Sequence, residues 1–169
     1  MGMEQMGQTN NLTNKVNEAL EKLGSTSRWN DAPKSLENTE SLLGKSVVMV
    51  DDMEGVLEGF APYLVVATGG NASFIQYNGQ SLEELTKEIM STNSDIVLMD
   101  YHLSEDDSMK GSDVLRALKE NEFTGQSIGF SSDHEATQDF ESAGAIGAVK
   151  KRPASPERTI QELAAKITS

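Results

Sequence analysis

Three acidic residues in this sequence each close a run of apolar ones. Asp51 and Asp52 follow Val47 to Val50, and Asp100 follows Ile96 to Met99. Two other runs end on different polar types: Ser127 to Phe130 leads into Ser131 and Ser132, and Ala148 leads through Val149 to Lys150 and Lys151. If one fold gathers these run ends on a common rim, three carboxylates lie within a few ångströms of one another. Their repulsion is most simply relieved by a hard divalent cation with oxygen ligands, and Mg²⁺ is the ion expected. A lysine across the rim adds positive charge beyond what the three acids call for. That surplus suits a phosphoryl group. Taken singly, each residue has a plainer reading. Asp after a strand turns the chain or caps a helix, Ser-Ser caps a helix, and Lys150-Lys151-Arg152 is a solvated turn. Agreement at all five positions outweighs those readings. His102 and His134 have no comparable company and read as surface residues.

The elements that must deliver such a rim are visible in the pattern. From residue 46 onward, apolar runs at Val47 to Val50, Ser73 to Gln76, Ile96 to Met99, Ser127 to Phe130 and Ala148 to Lys150 alternate with helical periodicity. The helices are expected at Glu54 to Val66, Ser81 to Met90, Ser112 to Glu120, His134 to Ser142 and Pro156 to Ile167. Ser81 with Glu84 forms a capping box, and Ser155-Pro156 sets a cap before a proline at the first helical position. Pro62 is expected to kink the first of these helices or end it early. Alternation of this kind implies an α/β fold, a (βα)5 doubly wound parallel sheet of five strands, with its site at the carboxyl ends of the strands.

Residues 1–44 read differently, as a helical and linker extension ahead of the main domain at 45–169. Leu12, Val16, Ala19, Leu20 and Leu23 share one helical face and Gly24 stops the helix, whereas Ser25 to Asn38 shows no period. A helix this short is marginal alone, so the stripe is expected to dock on protein: the chain's own main domain, a second copy in a homodimer, or a partner.

Composition narrows the chemistry. The 169 residues suit one domain with an appendage, and the net charge of −13 disfavours direct binding to nucleic acid or anionic membranes. Four basic and six acidic residues fall before residue 45, so nearly all of that charge sits on the main domain. The absence of cysteine excludes disulfides, thiolate metal sites and a cysteine nucleophile. With no basic start followed by an apolar segment, and no run of membrane-spanning length, a soluble cytoplasmic protein is expected.

The motifs Val-Val-Met-Val-Asp51-Asp52, Ile-Val-Leu-Met-Asp100-Tyr-His-Leu103, Gly111, Ile-Gly-Phe-Ser131-Ser132 and Ala143-Gly-Ala-Ile-Gly147-Ala-Val-Lys-Lys151 resemble the receiver domain of bacterial two-component response regulators. The resemblance spans about Lys45 to Thr168, with intervals of 48, 31 and 20 residues from Asp52 to Asp100, Ser131 and Lys151. It implies a flavodoxin-like fold, Asp100 as phosphoacceptor and Asp51 and Asp52 as the metal-binding pair. It implies further that His102 lends a backbone carbonyl to Mg²⁺, that the Ser131 hydroxyl turns toward the phosphoryl group, and that Lys151 pairs with it. Lys151 is preferred to Lys150 because the family's lysine lies four residues after the glycine, here Gly147. The implied partners are a sensor histidine kinase or a histidine phosphotransfer protein, and a downstream protein that reads the phosphorylated face. The resemblance runs to the last residues of the sequence, so a stand-alone regulator that is not an enzyme beyond its own phosphorylation and dephosphorylation is expected.

Three departures stand out. The acidic stretch Leu103 to Lys110 replaces the usual short turn, Arg152 separates Lys151 from Pro153, and Ala148 stands where relatives carry an aromatic residue. Two rival readings are an Mg²⁺-dependent phosphatase with an aspartate nucleophile and a receiver-like module that is never phosphorylated. The phosphatase type carries Asp-x-Asp, whereas this chain has adjacent Asp51-Asp52 and lacks a cap-sized insertion.

Overall fold

The computed structural model describes residues 3–168. Helix α1 (Met3–Lys22) leads through an irregular strap and a single 3₁₀ turn (Glu40–Leu42) into β1 (Val47–Asp51). There follow α2 (Glu54–Thr68), β2 (Ala72–Gln76), α3 (Leu82–Ser91), β3 (Ile96–Asp100), α4 (Gly111–Glu120), β4 (Gln126–Ser131), α5 (His134–Ser142), β5 (Ala148–Lys150) and α6 (Pro156–Thr168). The strands form one parallel sheet in the order β2-β1-β3-β4-β5. This is the doubly wound α/β fold expected from the sequence, with every expected strand and helix present.

Period-two alternation along the central strands builds two cores. Val48, Val50, Val97 and Met99 face Leu85, Ile89, Val114, Leu118 and Phe140 of α3, α4 and α5. Their neighbours Val47, Met49, Ile96 and Leu98 face Leu57, Phe60, Leu64, Ile160 and Leu163 of α2 and α6. Because helices cover both faces, β1 and β3 are buried along their whole length, which is why they read as continuous apolar runs. No helix among the described residues is long and apolar enough to cross a membrane.

Helix α2 decides one half of the expectation for Pro62: the helix does not end early. It runs past Pro62 to Thr68 and ends on Gly69, whose φ of 71° supplies the left-handed stop. The proline costs the helix one backbone hydrogen bond, but Leu57, Phe60, Ala61, Pro62, Leu64, Val65 and Val66 are all buried, and packing on two sides outweighs that loss. The second side is supplied by α1. Val16 and Leu20 pack with Ala61, Val65 and Val66, and Leu12, Ala19 and Leu23 complete the contact, so the apolar stripe docks on the chain's own helical layer. The strap after α1 is irregular but anchored. The Asn17 side chain donates to the Trp29 carbonyl at 2.8 Å and accepts from its N–H at 2.9 Å, while the Ala32 N–H donates to Thr13 Oγ1 at 2.9 Å. Leu42, in the 3₁₀ turn, is fully buried in the core between α2 and α6.

Candidate functional site

The parallel register sets the ends of β1 and β3 side by side. Val50 pairs with Met99, so the next residues, Asp51 and Asp100, emerge together at the carboxyl edge of the sheet. Asp51, Asp52 and Asp100 each present a carboxylate oxygen, and these lie within 4.8 Å of one another. Across the rim, Ser131 pairs with Lys150, and the Lys151 N–H donates to the Ser131 carbonyl at 3.1 Å.

Lys151 reaches back over that edge. Its Nζ donates to Asp51 Oδ2 and to Asp100 Oδ1, both at 2.8 Å, and lies 4.8 Å from the centroid of the Phe130 ring. Lys150 is exposed, and its main chain is held by α6: its N–H donates to Glu162 Oε1 at 3.1 Å and its carbonyl accepts from Thr159 Oγ1 at 2.8 Å. Arg152 joins the same clamp through Glu162 at 2.8 Å. The three residues after Val149 therefore diverge, and the middle one, Lys151, faces the acids.

Burial dominates the electrostatics. Asp51 is fully buried and Asp100 is 4 % exposed. Desolvation, reinforced by the charges of Asp51 and Asp52, pushes the Asp100 carboxyl up to about 7, and Lys151 only partly offsets it. Asp51 is likewise raised by burial, against the pull of Lys151 and of the Met53 N–H that donates to it at 2.8 Å. Burial works against the Lys151 ammonium too, but the two carboxylates outweigh it and its pKa is raised. One ammonium facing three acids leaves a surplus of negative charge at the bottom of an oxygen-lined site. Such a donor set fits a hard divalent cation, with Asp51, Asp52 and Asp100 as the side chains that would hold it.

Other expected residues surround this centre. The Ser131 Oγ accepts from the Asp133 N–H at 3.0 Å, a local turn that leaves it on the rim beside Lys151, and Ser132 is exposed. The His102 ring, half exposed, lies between Asp107 at 3.1 Å and Asp133 at 3.6 Å, linking the loops that follow β3 and β4. The long acidic loop is anchored at its ends by buried Leu103 and Met109, and the Ser104 N–H donates to the Met109 carbonyl at 3.3 Å. Ala148, half-buried, lines a groove of about 320 Å³ together with Ser131, Thr137 and Glu162.

A polar hub on α5 escapes the sequence reading. One carboxylate, Asp139, accepts from the Tyr101 hydroxyl at 2.8 Å, the Ser112 hydroxyl at 2.7 Å and Arg116 at 2.9 Å. These bonds hold its carboxyl down at about 2 and raise the Tyr101 phenol to about 12, where burial is the first cause. The residue next to Asp100 is thus tied to α4 and α5. Gly111 presses on the site from the other direction. A Cβ there would collide with the Asp100 carbonyl oxygen and the Met99 side chain. Gly111→Ala should therefore destabilise the fold by about 2 kcal/mol or more, overriding the better helix propensity of alanine, and a urea midpoint equal to that of the parent would contradict this.

No protein-family profile matches the chain, and no curated protein sequence does. Solved structures do match. A BeF3-activated receiver domain, DrrB, superposes with a TM-score of 0.55 and 18 % identity, over 74 % of this chain and 98 % of that one. A response regulator of the LuxR family from Aurantimonas gives 0.53 and 22 % over 72 % and 85 % of the two chains. The receiver domain of a histidine kinase from Arabidopsis thaliana gives 0.53 and 17 % over 77 % and 97 %. A doubly wound α/β domain with an acidic rim at its strand ends is the class these observations define. Within that class the fold is that of the receiver domain of two-component response regulators.

Proposed function

We propose that this chain is a phosphoacceptor signalling domain in which Asp100 takes a phosphoryl group from a phosphohistidine donor, a sensor histidine kinase or a histidine phosphotransfer protein. One observation carries the reading: at the strand ends, a single lysine bridges two buried carboxylates at 2.8 Å each while a third stands within 4.8 Å. In the reaction an Asp100 carboxylate oxygen forms a bond to phosphorus, the bond from phosphorus to the donor nitrogen breaks, and its electron pair leaves with the imidazole. Asp51, Asp52 and Asp100, with the His102 carbonyl, would hold Mg²⁺, which would supply positive charge for the phosphoryl oxygens. Lys151 exchanges its Asp100 contact for a phosphoryl oxygen, and the Ser131 hydroxyl donates to another. The domain performs no chemistry beyond gaining and losing this group. Its phosphorylated face signals through contact with a downstream protein, and on this reading it works in the cytoplasm.

Incubation with acetyl phosphate and Mg²⁺, followed by intact mass, tests the reading. The expected result is a gain of one phosphoryl group that disappears with chelator and in Asp100→Asn. No gain in the parent protein, or an undiminished gain in Asp100→Asn, would overturn it. Sustained turnover of a chromogenic phosphate ester would favour the phosphatase reading instead.

A further inference from the structure

The sheet has one long open edge, at β2. The Val47 N–H donates to the Asn71 carbonyl at 3.0 Å and the Tyr77 N–H donates to the Asp51 carbonyl at 2.9 Å. In a parallel ladder this phase turns the main-chain groups of Ser73 and Ile75 toward β1 and those of Ala72, Phe74 and Gln76 outward. The Gln76 carbonyl is taken by the Gln80 side chain at 3.1 Å. The N–H and C=O groups of Ala72 and Phe74 have no hydrogen-bond partner among the described residues. Nothing in the strand protects this edge: Ala72 to Gln76 contains no charge, no proline and two large apolar residues.

Below the edge lies a surface that the fold itself does not fill. Helix α1 adds a third helix to the layer formed by α2 and α6, on the side where the sheet stops. A groove of about 300 Å³ lies where α1 meets β2, lined by Lys15, Ala19 and Lys22 of the helix, by Leu23 just after it, and by Ala72 and Phe74 of the strand. Val65, Leu23 and Phe74 give it an apolar part beside the polar one. Lys15 and Lys22 stand on its margin and form no ion pair among the described residues, and Glu18 is the one acid beside them. In a chain of net charge −13 this is a local cationic margin.

We propose that the β2 edge and α1 together bind an extended segment of a partner protein, added as a sixth strand. Its apolar side chains rest on Ala19, Leu23 and Phe74, and its Asp or Glu residues meet Lys15 and Lys22. Main-chain pairing with Ala72 and Phe74 supplies affinity, and the lysines supply charge selection. A second copy of the chain is disfavoured as occupant by the repulsion between two strongly acidic molecules. The site runs along the β2 edge, whereas the acidic rim lies at the carboxyl ends of the strands.

Selection of dodecapeptides from a random displayed library on the full chain tests this. Enriched peptides are expected to alternate apolar residues and to carry Asp or Glu. Synthesised and labelled, they should bind at least tenfold more weakly to Lys15→Glu/Lys22→Glu, whose melting temperature serves as the folding control. They should also slow amide exchange at Ala72 and Phe74. Enrichment of peptides indifferent to the double substitution, protection elsewhere on the chain, or no enrichment at all would overturn the proposal. So would sedimentation of the parent chain as a dimer that Phe74→Pro disperses.

Discussion

In metal-free buffer, Asp100→Asn should be more stable than the parent protein at about pH 8, and the difference should vanish as the pH falls toward about 4. The sign follows from the acidic rim. Unfolded, the Asp100 carboxyl titrates near its ordinary 3.8; folded, burial and the neighbouring carboxylates hold it at about 7. Above the folded value the charge is present in both states but costs the folded one, by an amount on the order of 4 kcal/mol. Between the two values the folded state binds a proton that the unfolded state has lost, so stability rises as the pH falls through that window. Asp51 is shifted in the same direction, by burial first, against the pull of Lys151. Asparagine keeps the shape and an acceptor for Lys151 but removes the charge, so the variant's urea midpoint should vary less steeply with pH than that of the parent, with Asp51 supplying the remaining slope. Mg²⁺ should raise the parent's midpoint at about pH 8 and raise that of the variant less, because a ligand stabilises the state that binds it and the variant loses one of three carboxylate ligands. Lys151→Ala should act in the opposite direction, losing about 3 kcal/mol or more at the same pH through removal of the cation that pairs with buried Asp51 and Asp100. A parent midpoint independent of pH between about 5 and 8, with chelator present, would show that the carboxylates are not coupled as described.

Much of this site is legible in the amino-acid sequence, for a local reason. A central strand of a doubly wound sheet is covered on both faces, so β1 and β3 are unbroken apolar runs, and the first polar residue after each must lie at the carboxyl edge. Asp51 and Asp100 therefore announce themselves. What sequence cannot show is which distant helix supplies a partner. Asp139 reads as an ordinary polar position of a short helix, yet its donors come from Tyr101, Ser112 and Arg116, on a loop and a helix that become neighbours only once the crossovers are made. The clamp of Thr159 and Glu162 on the β5 end is hidden in the same way. Pro62 does not end its helix because the local penalty, the missing N–H, is outweighed in a helix buried on two sides. The strap from Ser25 to Asn38 has no period, and its order rests on bonds from Thr13 and Asn17 and on the packing of Trp29, Ala32 and Leu36 rather than on any repeating pattern.

Leu20→Ala should cost about 3 kcal/mol of folding stability, and removal of residues 1–24 more. Leu20 is 1 % exposed and Val16 is fully buried, both against Ala61, Val65 and Val66 of α2. Truncating such a leucine forfeits its transfer free energy and leaves a cavity, which together amount to about 2–5 kcal/mol. A helix that merely frayed in solvent would lose less than about 0.5 kcal/mol from the same change. The cut is placed at 24 because a cut at 44 would also remove Leu42, which fills the core between α2 and α6, and the result would report on that core rather than on α1. Deleting 1–24 uncovers the second apolar side of α2 and releases the strap, since Asn17 and Thr13 no longer hold Trp29 and Ala32. No hydrogen bond or ion pair joins the rim's carboxylates or Lys151 to α1 among the described residues. The folded fraction of Leu20→Ala should therefore accept a phosphoryl group on Asp100 from acetyl phosphate as the parent does, while its urea midpoint falls. An unchanged midpoint in Leu20→Ala, or rapid amide exchange throughout residues 11–24 of the parent chain, would show that α1 does not hold its place on α2.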